Sequence, residues 1–153
     1  MLGKALTIAL IGLIALSARA DETERMYVVP PKPGPAAPFS EGILVDGTFY
    51  VAGHIGLDST TNQPPAAADA EARLVMDAVT ETLARAGLKP DDLVAVTVYC
   101  TDLDLYDKFN AVYRTYFHAH FPTRAFIGVN KLVRGAHFEV SGIATKPRST
   151  HKS

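Results

Sequence analysis

The sequence predicts a mixed α/β (α+β) domain, a single sheet with two helices packed on one face, in the order ββ-α-β-α-ββ. Three observations carry this prediction. Two β-prone runs within residues 42–53 meet at Asp46-Gly47, a strong short-range hairpin signal. Residues 66–86 are good helix formers, with Val75, Val79, Leu83 and Ala86 falling on one side. Branched and aromatic runs at about 93–101, 124–130 and 137–145 read as strands on either side of a second helix.

The elements follow in order. Lys4, an apolar run from Ala5 to Leu16 and the close Ala18-Arg19-Ala20 describe a secretory signal peptide over residues 1–20. The expected mature chain begins at Asp21 and is periplasmic or secreted, with no membrane attachment once the leader is removed. Residues 21–40 hold Pro30, Pro31, Pro33, Pro35 and Pro38, so this entry is expected to be extended or irregular and to stay out of a regular sheet. The hairpin follows, then a polar loop from Asp58 to Pro65. Gly87 and Pro90 stop the first helix. Asp102 or Asp104 is placed to cap the second, whose Phe109, Val112, Tyr113, Tyr116 and Phe117 recur at helical spacing. Residues 147–153 read as a flexible basic tail. The sheet face away from the helices also carries apolar residues, and an oligomer is the simplest cover for it.

Charge and cysteine usage narrow the function classes. Removing Lys4 and Arg19 from 15 basic residues leaves 13 against 16 acidic, a net charge of −3 for the expected mature chain. That balance supplies no general electrostatic reason to bind nucleic acid. The single cysteine, Cys100, cannot form an internal disulfide and reads as a small buried hydrophobe.

Two strands each keep one charged residue in an apolar setting. One is Phe121-Pro122-Thr123-Arg124-Ala125-Phe126-Ile127; the other is His137-Phe138-Glu139-Val140-Ser141. An Arg or Glu in such a place needs a partner. Arg offers a planar fork for a carboxylate, and Glu accepts and returns protons, so the pair points to a small anionic molecule undergoing proton transfer. A structural ion pair at a strand end is the competing reading.

The order of elements resembles the RidA/YjgF family. So do Pro38-Phe39, Val51-Ala52-Gly53-His54-Ile55, Gly87-Leu88-Lys89-Pro90-Asp91-Asp92-Leu93, Phe109-Asn110-Ala111-Val112-Tyr113, Phe121-Pro122-Thr123-Arg124 and Phe138-Glu139-Val140. The likeness spans residues 35–146. It implies a chorismate-mutase-like subunit in a homotrimer with ligand clefts between neighbours. It also implies hydrolysis of reactive enamines and imines of amino-acid origin to 2-oxo acids and ammonia, with no metal or organic cofactor.

By the same resemblance Arg124 holds the substrate carboxylate and Glu139 positions or activates water. Gly53, Asn110, Phe39 and Phe126 fall at the ligand cleft. Tyr113 and Tyr116 read as core or interface aromatics. The chain departs from the family pattern at Phe39, often Tyr; at Ala52-Gly53-His54, often Ser-Gly-Gln; and at Phe126, often Cys. Lost hydroxyls and a bulkier ring point to a different imine, or to a trimer that binds a carboxylate metabolite without turnover. A ribonuclease is a third reading. His118-Ala119-His120 does not share a helix face, which argues against a metal pair. His54 and His137 are candidates to titrate near neutrality, with His54 bordering the cleft.

Overall fold

Residues 24–30 and 37–146 are described by a computed structural model. The expected leader at 1–20, residues 31–36 of the Pro-rich entry and the tail at 147–153 lie outside the described residues. The hairpin forms as its sequence dictates. β2 (Gly42–Val45) and β3 (Thr48–Ile55) turn at Asp46 (φ 48°) and Gly47 (φ 75°), two left-handed residues whose twist suits a two-residue connection.

The entry segment, expected to stay out of a regular sheet, does not do so throughout. The entry segment contributes a strand, β1 (Arg25–Val28), which pairs antiparallel with β2. Met26-Tyr27-Val28 is β-prone and precedes the first proline, and a strand at the sheet edge needs partners on one side only. The six-stranded sheet runs β1-β2-β3-β6-β4-β5, with β4 (Leu93–Cys100), β5 (Thr123–Gly128) and β6 (Phe138–Thr145). β5 lies parallel to β4 at the far edge.

α1 (Ala68–Arg85) ends in a Schellman motif. Leu88 N–H donates to Leu83 O and Gly87 N–H to Ala84 O, both at 2.9 Å, with Gly87 left-handed at φ 73°. α2 (Tyr106–Tyr113) is shorter than its apolar periodicity predicts and tightens into a 3-10 turn at Arg114–Tyr116. There the Thr115 hydroxyl donates to Val112 O at 2.7 Å, competing with the regular backbone ladder. Asp102 caps the short turn before α2 by accepting from Asp104 N–H.

Both helices pack on one sheet face. Ala72, Val75, Met76, Val79 and Leu83 of α1, with Phe109 and Val112 of α2, meet Phe49, Val51, Val96, Val98, Cys100, Phe138 and Val140. Each large apolar side chain buried there contributes about 1.5–3 kcal/mol. Cys100 is buried in this core, and burial pushes its thiol up, which disfavours the thiolate.

Glu71 is the exception in this core. It is fully buried, yet its carboxylate accepts from His137 N–H (2.6 Å) and Phe138 N–H (2.9 Å) and lies 2.7 Å from His137 Nδ1. It thereby pins the start of β6, two residues before Glu139. The opposite sheet face carries an apolar row in register across the strands: Tyr27, Ile43, Tyr50, Ile143 and Ala95. Tyr27 is 54% exposed and Tyr50 49%.

Candidate functional site

Arg124 and Glu139 occupy opposite faces of the sheet. Arg124 leaves edge strand β5 on the helix side, because its register partner Val96 is a core residue. Glu139 leaves β6 on the open side, since its neighbours Phe138 and Val140 both point into the core. Within one chain they are not an ion pair, and each opens onto its own cavity.

The Arg124 cavity has a volume of about 200 Å³ and is lined by Tyr106, Asn110, Tyr113, Arg114, Phe121 and Pro122 beside Arg124 itself. The guanidinium carbon lies 4.7 Å from the Tyr113 ring centre, 5.7 Å from that of Tyr106 and 5.6 Å from that of Phe126. Aromatic faces attract a cation without consuming its hydrogen-bond donors. Among the described residues no carboxylate pairs with Arg124; its one side-chain partner is the Tyr106 hydroxyl at 3.4 Å. The result is a guanidinium positioned on a ring bed with donors to spare. Asn110 is buried on the same wall. Phe126 packs edge-on against Tyr106 and Phe109 and supports this wall from beneath.

The Glu139 cavity is wider, about 700 Å³, and is lined by Phe39, Glu41, Ala52, Gly53, His54 and Ile55, with Leu57, Val133 and Arg134 completing it. Its shape depends on a register shift in β3 between Val51 and His54. The bulge turns His54 toward the helices, where Nε2 lies 3.2 Å from the Thr82 hydroxyl. It leaves Gly53 beside Glu139. A methyl group added at Gly53 would stand 2.0 Å from Glu139 Oε1, so the carboxylate rests directly on bare backbone. Burial holds His54 below its usual range, with Glu41 opposing, so the ring is neutral at this wall. Glu41 is itself bound by Arg85 at 2.5 Å.

The sequence-predicted residues therefore divide. Arg124 and Asn110 line one cavity; Glu139, Gly53 and Phe39 line the other; Phe126 lies behind the first. His118 has its backbone N–H on Asp91 Oδ1 at 2.9 Å, in a loop after α2. Two contributors were not singled out in the sequence. Tyr106 stands one turn before Asn110, an i, i+4 relation that puts both on one helix face. Glu71 occupies a core position four residues before Val75, and a charge at such a position was the available signal.

This architecture, one twisted sheet backed by two helices with polar clefts at the edge and open face, is that of the RidA/YjgF group. The chain belongs to that family: residues 30–146 match the family described as Endoribonuclease L-PSP. A human protein named 2-iminobutanoate/2-iminopropanoate deaminase is 34% identical over 113 residues, covering 73% of this chain and 82% of the human one. A RutC family protein of Aquifex aeolicus is 30% identical over 124 residues, covering 80% of this chain and 99% of its own length. Among solved structures, E. coli TdcF with bound serine superposes with a TM-score of 0.72 at 28% identity, over 80% of this chain and all of TdcF.

Proposed function

We propose that this protein hydrolyses small imines and enamines derived from amino acids, converting 2-iminoalkanoates to 2-oxo acids and ammonia. The active site is a cleft between copies in a homotrimer, joining the Arg124 cavity of one chain to the Glu139 cavity of the next. The observation that carries the reading is the unpaired guanidinium of Arg124 on its aromatic bed, a docking point for a carboxylate. The names of the relatives support the same chemistry.

The separation of the two side chains on opposite faces is why a second copy is needed. The apolar row of exposed Tyr27 and Tyr50 with half-buried Ile43 between them gives that copy a surface to cover. In the cleft Arg124 fixes the substrate carboxylate and so orients C2. Glu139 holds water and takes one of its protons as the oxygen adds to C2. The nitrogen gains protons, the C–N bond breaks, and ammonia leaves as the carbonyl forms. Phe39 and Ala52 contribute no hydroxyl at the Glu139 wall, which leaves the water to Glu139. Export past residue 20 is part of the proposal, and N-terminal sequencing of protein recovered outside the cytoplasm should begin at Asp21.

Ribonuclease activity, which the family description names, has less support. The expected mature chain carries a net charge of −3, which supplies no general attraction for a polyanionic nucleic acid.

The test is to generate 2-imino acids with an amino-acid oxidase, trap them with semicarbazide, and ask whether the protein suppresses the trapped product. Suppression should disappear in Arg124→Ala and in Glu139→Ala. An equal mixture of the two variants, dissociated and reassembled, should recover about a quarter of the clefts, because each cleft draws one residue from each neighbour. Absence of suppression by the unaltered protein would leave a trimer that only binds carboxylates.

A further inference from the structure

Glu139 is the second residue of β6, at a thinly supported end of the sheet. On one side the ladder with β3 stops at Ile55, just past the register shift between Val51 and His54. On the other, pairing with β4 ends at Phe138 opposite Cys100, and a single longer bond, Thr101 N–H to His137 O at 3.1 Å, follows it. Backbone ladders alone leave such a strand entry open to fraying. Glu71, in the first turn of α1, reaches both strands there. Its Oε1 accepts from His137 N–H and Phe138 N–H, and its Oε2 meets His137 Nδ1. Its own backbone lies against the residue that follows β3. A methyl group at Gly56 would stand 2.4 Å from Glu71 O and 3.1 Å from Cγ. A fully buried carboxylate is a costly way to fill a core place beside Ala72, Val75 and Met76, where an apolar side chain of similar volume often serves stability as well. What the carboxylate adds is a fixed reach from the helix to the strand entry.

We propose that Glu71 is a positioning residue for catalysis, setting the place of the Glu139 carboxylate through the two amides at the head of β6. The inference rests on the reading of Glu139 as the group that holds and deprotonates water. The path is short. Glu71 binds the amides of His137 and Phe138, and Glu139 is the next residue. The Glu139 carboxylate rests on Gly53, two residues before β3 ends beside Glu71. One helix residue thus touches both strands between which that carboxylate sits. The Glu71 carboxylate only accepts, so His137 donates from Nδ1 and its half-exposed ring closes the arrangement. Reach and acceptor oxygens are what the role requires. Arg124 lies on the other sheet face, away from these contacts.

Two variants test this in the imine assay, run well below the melting temperature of each. Glu71→Asp keeps the charge but withdraws the carboxylate by one methylene. It should lower kcat by about tenfold or more with KM within about twofold, because a displaced Glu139 is felt in the transition state and not in carboxylate docking. Glu71→Gln keeps the length and an oxygen for both amides, and should hold kcat within about threefold. Amide hydrogen exchange over residues 137–140 should quicken in Glu71→Asp and stay near that of the unaltered protein in Glu71→Gln. A core role alone would lower melting temperatures without splitting kcat from KM. Unaltered kcat in Glu71→Asp, or a loss of about tenfold in Glu71→Gln, would overturn the inference and leave Glu139 as the group that handles water. No turnover by the unaltered protein would overturn both.

Discussion

Placing a methyl group at Gly53 isolates the position of Glu139 from its chemistry. The Cβ of Gly53→Ala would lie 2.0 Å from Glu139 Oε1, 2.9 Å from Cδ and 3.2 Å from Cγ. Reaching an ordinary contact of 3.4 Å moves the carboxylate oxygen by about 1.4 Å. The backbone tolerates the change, because Gly53 is not among the left-handed glycines. Glu139 is only partly buried and can swing aside, so stability should change by less than about 1 kcal/mol. Catalysis should not be so tolerant: a displacement of about 1 Å in a positioned group costs on the order of 100-fold. The assay is kcat/KM by semicarbazide competition, paired with a thermal melt of the same sample. Gly53→Ala is expected to lose roughly 100-fold in kcat/KM with an almost unchanged melt. A variant within threefold of the unaltered enzyme, by whatever route, would refute the idea that the bare Gly53 backbone positions the Glu139 carboxylate.

Two further predictions concern buried polar groups. Glu71→Ala leaves the buried Phe138 N–H and the half-buried His137 N–H without their acceptor, and should cost about 3 kcal/mol in denaturant unfolding at fixed protein concentration. Glu71→Gln keeps one oxygen and should lose less; loss below about 1 kcal/mol in Glu71→Ala would show that β6 is held by packing alone. His54, held below its usual value of 6.5 chiefly by burial, is neutral when folded and binds a proton more readily when unfolded. Its contribution to stability is full above pH 6.5 and declines as pH falls below it, so His54→Gln should flatten the loss between about pH 7 and 5. An identical slope in the variant would place that loss on other groups.

Much of the fold was legible in local signals. The Asp46-Gly47 turn needed two left-handed residues and has them. The α1 stop at Gly87 follows from the same conformational freedom, and the apolar spacing of Val75, Val79 and Leu83 named the buried side of the helix. β1 was obscured because the neighbouring prolines dominated the reading of a segment whose first residues are ordinary strand formers. The end of α2 was misplaced for a different reason. Apolar periodicity continues through Tyr116 and Phe117, but a 3-10 turn keeps those side chains on the same core while changing the backbone.

The site divides along the same line between local and non-local information. The sequence alone determined which residue types could do the chemistry, because a guanidinium and a carboxylate in apolar strands are costly and need a reason. It also determined the family, through motifs that sit in turns and strand ends. Only the tertiary structure decided that Arg124 and Glu139 face opposite sides of one sheet. That depends on the register of β6 against β4 and the parallel placement of β5 beside β4, neither of which is a local property. Strand pairing sets the face of every side chain at a period of two, so a one-residue shift reverses it. The sequence could nominate both residues; the register alone decides that one chain cannot bring them together.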